Sequence, residues 1–83
     1  MNLKLQLAAH MSSLLSETPL SANQKLVQDD KNEDNYILEA EVLDGMQLRR
    51  WLLSQGKGLV VLAPETLRDW MKETLSQQLG QYT

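Results

Sequence analysis

LRRWLLSQGKGLVVLAPETLRDW, residues 48–70, decides how this chain folds. Leu48, Trp51 and Leu52 recur at the spacing of one helical face, and Gly56 suits the left-handed residue that ends such a helix. Leu59–Leu62 is a continuous apolar run with β-branched valines at its centre, which predicts a buried strand. Pro64 then suits the first turn of a new helix, where a missing amide hydrogen costs nothing. In that helix Leu67, Trp70, Met71, Thr74, Leu75 and Gln78 line one arc. Arg68, Asp69, Lys72 and Ser76 take the opposite side, and Gly80 ends it. The stretch reads helix, strand, helix.

The residues before it complete the pattern. Leu3, Leu5 and Leu7 alternate with Asn2, Lys4 and Gln6, the period of a half-buried strand. Met11, Leu14 and Leu15 follow at helical spacing, and Pro19 stops that helix. The turn-rich ETPLSAN at 17–23 leads to a weak strand over Lys25–Gln28. Asp29–Asn35, DDKNEDN, is a polar loop. Tyr36, Leu38, Ala40 and Val42 then share one face of the next strand, so the two strands form a hairpin. Asp44 is the expected N-cap of the helix that follows. The order is strand, helix, strand, strand, helix, strand, helix, which predicts an α+β domain, ferredoxin-like βαββαβ with an additional C-terminal α-helix. Such a sheet has strand order 4-1-3-2, with Leu59–Leu62 at one edge and Lys25–Gln28 at the other. Lys25 and Asp29 guard the second edge against further pairing. Leu59, Val60, Val61 and Leu62 carry no such protection, so either the last helix or another part of the chain covers them, or a second copy pairs there.

Composition narrows the function. The 83 residues make one domain, since a second would have too little interior. Apolar residues are 42% and charged residues 23%, an ordinary soluble balance. A net charge of −3 argues against binding nucleic acid by bulk electrostatics, because phosphate contacts need clustered cations. No cysteine is present, which removes thiol redox chemistry and cysteine metal sites. The N-terminal MNLKLQLAAHM lacks the form of a signal peptide, and no apolar run reaches the roughly 20 residues of a membrane span. A cytoplasmic protein with no membrane partner is expected.

Three stretches carry a resemblance: PLSANQ at 19–24, LRRWLLSQG at 48–56 and VVLAPETLR at 60–68. In this order and at these distances, the chain from about Thr18 to Tyr82 resembles the C-terminal extension, or WCX domain, of WYL-domain transcriptional regulators. The resemblance implies a fragment of a longer regulator. Such regulators bear an N-terminal winged helix-turn-helix and a central WYL domain with a small β-barrel fold. DNA contacts would lie in that absent N-terminal region. The family is taken to sense effectors, in some members single-stranded nucleic acid, and its extension contributes to dimer contacts and ligand response.

Arg49, Arg50 and Leu53 are the candidate effector or partner contacts. Two guanidinium groups beside apolar atoms suit phosphate contact with base stacking, or a protein interface. The competing account has both arginines solvated and Leu53 tucked under a neighbouring element. Trp51 and Trp70 could stack bases, but beside leucine and methionine at helical spacing they fit core better. Asp29, Asp30, Glu33 and Asp34 lack the ligand spacing and glycine of an EF-hand loop and read as a solvated hairpin loop. His10 is the lone histidine, and no serine sits in a nucleophile elbow. Gly56-Lys57-Gly58 lacks P-loop spacing. Neither a catalytic residue, a metal site nor a cofactor is expected.

The reading is a non-enzymatic regulatory module. Its expected partners are the WYL domain of its own longer chain, a second copy in a homodimer at or near Leu59–Leu62, and a nucleic-acid effector. The alternative is a free-standing small-ligand-binding or structural assembly domain of ferredoxin-like fold, which fold analogy alone supports.

Overall fold

A computed structural model describes residues 1–83. The elements follow as β1 (Asn2–Ala8), α1 (Ala9–Glu17), β2 (Lys25–Gln28), β3 (Asn35–Glu41), α2 (Met46–Ser54), β4 (Leu59–Ala63) and α3 (Glu65–Gly80). The four strands form one sheet in the order β2-β3-β1-β4, and every neighbouring pair is antiparallel. The three helices supply the other half of an α+β domain.

Alternation sets the two faces of the sheet. Leu3, Leu5 and Leu7 of β1, Leu38 and Ala40 of β3, and Leu59 and Val61 of β4 are buried. Met11 and Leu15 from α1, Leu52 from α2, and Leu67 and Met71 from α3 join them in a single cluster. All three helices therefore contribute to one core. The other phase of the strands stays wetter: Lys25 of β2 stands opposite Glu39 of β3, which stands opposite Lys4 of β1. Along β4 the register slips by one residue opposite Lys4 and Leu5, leaving Leu62 as the extra residue of a bulge.

Two side chains hold the α1–β2 connection, and both lie in the PLSANQ stretch. The Gln24 amide donates to the Leu15 carbonyl at 3.0 Å and accepts from the Leu20 amide at 2.9 Å. Asn23 Oδ1 accepts from the Ser21 hydroxyl at 2.6 Å and from the Glu41 amide at 3.2 Å. One residue thus closes the exposed end of α1, and the other moors the loop to β3. Gly56 follows α2 with φ of 61°, the left-handed conformation that only glycine takes cheaply. A single 3-10 turn, Gly56–Gly58, then delivers the chain to β4.

Three local expectations change. Asp44 does not cap α2: Gly45 is the cap residue and no side chain bonds the first amides. The carboxylate is drawn instead to Arg49, whose guanidinium fork meets both of its oxygens with charged donors, where a backbone amide would offer one neutral donor. Pro64 sits at the cap of α3, one residue before its first turn. Leu75 and Gln78 are exposed rather than packed. At about 1.5 Å per residue α3 runs roughly 24 Å, whereas the five residues of β4 span roughly 17 Å, so the helix outruns the edge strand it packs on.

Candidate functional site

The most organised polar constellation lies where the β3–α2 loop meets α2 and α3. Arg49 Nε and Nη2 donate to Asp44 Oδ1 and Oδ2 at 3.0 and 2.7 Å. The guanidinium carbon stands 4.8 Å from the centre of the Trp70 ring, within cation–π range. Five positions separate the ion pair, and Trp70 arrives from a different helix. Hydrogen bonding to Arg49 holds the Asp44 carboxyl below its ordinary range, and the same bond raises the Arg49 guanidinium further. Both ions persist at neutral pH.

Beside this clasp the loop turns outward. Leu43 is 92% exposed and Met46 is exposed as well. Leu43, Asp44, Gly45, Gln47, Leu48 and Trp51 border an open depression of about 430 Å³ at the head of α2.

The predicted contact residues, all on α2, stand in different surroundings. Arg49 is engaged by Asp44 and Trp70. Arg50 is exposed and makes no side-chain hydrogen bond or ion pair. Leu53 is half-buried against the core. Trp51 and Trp70 also pack half-buried against the core, and Trp70 offers its free ring face to Arg49. His10 is exposed near the start of α1. In the acidic loop Asp29 Oδ1 accepts from the Lys31 amide and Asn32 Oδ1 from the Asp34 amide, each at 3.0 Å. No three metal-ligating side chains of the His, Cys, Asp or Glu type converge anywhere.

At the β4 edge, Leu59 and Val61 point into the core while Val60 is exposed and Leu62 half-buried. Arg68 of α3 donates to the Val61 carbonyl at 2.9 Å. One backbone acceptor of β4 is therefore bonded by α3 from within the chain. Sequence reasoning placed Arg68 only on a solvated arc; its reach back seven positions carries no local signal.

The stretches behind the earlier resemblance thus have structural work in this fold: Asn23 and Gln24 in the loop, Gly56 in the turn, Arg68 on the edge. The family model of the WCX domain matches residues 1–79. The chain belongs to the WCX domain family. The match reaches back through α1 and β1, further than the stretch from Thr18 that carried the resemblance. No curated protein matches the chain. A WCX domain is a regulatory C-terminal domain of WYL regulators, a class consistent with a non-enzymatic protein. No helix of this WCX domain is long and apolar enough to cross a membrane.

Proposed function

We propose that this WCX domain is a non-enzymatic module that helps a WYL regulator dimerise and respond to its effector, single-stranded nucleic acid being the effector to test first. It does so beside the WYL domain of its own longer chain. The fold is read as ferredoxin-like with an added C-terminal helix; the order β2-β3-β1-β4, taken from the opposite edge as β4-β1-β3-β2, supports this.

The observation that carries the reading is Leu43, almost wholly exposed on a loop whose next residue is clamped by Arg49. With Leu48 and Trp51 beside it around one depression, Leu43 forms a contiguous apolar margin suited to meeting a partner surface. Arg50 supplies an unpaired cation on α2, and Trp51 of the same helix borders the depression beside the loop. Arg49 positions the loop instead of meeting the effector directly.

The test is the affinity of the intact regulator for a fluorescein-labelled single-stranded oligonucleotide across a salt series. Arg50→Ala weakens binding and lowers the salt slope by about one if it meets a phosphate. An unchanged affinity and slope removes Arg50 from the effector surface. Leu43→Ser with undiminished response in the same regulator rejects the loop as a contact.

A further inference from the structure

Arg68 reaches back from α3 to the Val61 carbonyl through Nη1. That bond fixes the guanidinium beside β4, an edge strand, while Nε and Nη2 make no bond within the chain. Lys72 follows one helical turn later on the same side of α3 and has no ion-pair partner. The helix as a whole is not basic, since it also carries Glu65, Asp69 and Glu73. None of these three carboxylates comes within ion-pair distance of Arg68 or Lys72.

The two cations border a half-open crevice of about 170 Å³ between α3 and β4. The rest of its border is apolar, with Val60, Met71 and Leu75 among the residues, and includes no carboxylate. A space of that size takes roughly one benzene ring or one leucine side chain. No aromatic residue borders it, so a nucleobase would find nothing to stack on. Past the crevice the same ridge continues to Leu79, which is 64% exposed, so a ligand longer than one side chain keeps apolar support. An apolar floor under a positive rim suits an apolar group attached to an anion, and the continuing ridge favours a polypeptide over a small acid.

We propose that the crevice between α3 and β4 is a docking site for an acidic segment of a partner protein. The segment seats one apolar side chain between Val60 and Leu75 and sets its flanking carboxylates on Arg68 and Lys72. Arg68 offers donors already held in place, which lowers the ordering cost of the contact. Lys72 adds a compact charge on a flexible stem. The site shares no residue with the depression beside Leu43, so it stands apart from the proposed effector surface.

Fluorescence anisotropy of the intact regulator with a short fluorescein-labelled peptide, one leucine set between glutamates, tests the site. Lys72 and Leu75 are both exposed, and far-UV circular dichroism verifies that their variants fold. The expected result is binding that Lys72→Glu weakens about tenfold, the loss of one charge-assisted contact. Leu75→Ser weakens it roughly fivefold through lost apolar area. Lys25→Glu alters net charge equally, but on β2, and leaves binding unchanged. Equal losses from Lys72→Glu and Lys25→Glu would reveal bulk attraction alone and overturn the site. Indifference to Leu75→Ser, or equal binding of a peptide with serine in place of leucine, overturns the apolar seat. A peptide that does not bind at all overturns the proposal. So does a crevice whose Lys72→Glu change weakens the single-stranded oligonucleotide instead of the peptide, since its ligand is then nucleic acid.

Discussion

The Arg49 guanidinium lies 4.8 Å from the centre of the Trp70 ring, so one side chain joins α2 to α3 while its other edge grips the loop before α2. Arg49→Ala therefore lowers the melting temperature more than Arg50→Ala does. Arg49→Lys behaves nearly as badly, since an ammonium cannot make the forked pair with Asp44. A double-mutant cycle with Asp44→Asn is expected to be non-additive, as residues sharing one network are. Additive losses would mean the two side chains act separately.

The same pair sets a pH response. The folded Asp44 carboxyl titrates below its ordinary range, first through its hydrogen bond to Arg49, while Arg49 stays protonated throughout. The contribution of the clasp is complete above the ordinary carboxylate value and is lost as pH falls through the lowered folded one. Urea unfolding of wild type and Asp44→Asn is expected to differ at pH 7 and to converge in acid. A gap that stays constant with pH would separate the clasp from this ionisation.

α2 is anchored by one fully buried side chain, Leu52. Leu52→Ala should cost about 2–5 kcal/mol, the usual range for truncating a buried leucine. Half-buried Leu53 should cost less under the same change. Denaturant midpoints that rank them the other way would place the anchor elsewhere.

Gln24 closes two backbone groups at once. Gln24→Ala leaves both unpaired and should cost about 1–3 kcal/mol. Gln24→Glu keeps the acceptor for Leu20 and loses the donor to Leu15, so it falls between alanine and wild type. Amide exchange at Leu20 distinguishes the two variants: only Gln24→Ala should accelerate it strongly.

At Gly56 a side chain must adopt a left-handed backbone. Gly56→Ala should lose roughly 1–2 kcal/mol, and Gly56→Asn less, because asparagine tolerates that conformation better. Equal stability of all three in urea would show that the turn relaxes.

What was legible in the sequence depended on how local the cause was. β2 was read to its exact residues because polar turns bound it on both sides, and Gly56 because only a turn needs its freedom. Periodicity gave the facing of α3 but not how far the sheet beneath it extends, so Leu75 and Gln78 were placed inside. Asp44 looked like a cap because the cap is the nearest use for a carboxylate; its actual partner required Arg49 to lean toward the loop. The contact between Arg49 and Trp70 crosses 21 positions (70 − 49) and has no motif. Of the candidate contacts, Arg50 needs no neighbour to stay in solvent, whereas the surroundings of Arg49 and Leu53 come from neighbours that only folding brings close.

The core has a spectroscopic consequence. Its 12 residues are leucine, valine, alanine and methionine, and the chain has no phenylalanine. Trp51 and Trp70 sit at the rim of that core, on α2 and α3. Indole emission therefore reports on the junction of these helices, not on the interior, and a probe of the sheet must be sought elsewhere. An unfolding curve followed at the indoles alone would record when α2 and α3 part, whatever β1 and β3 are doing at that moment.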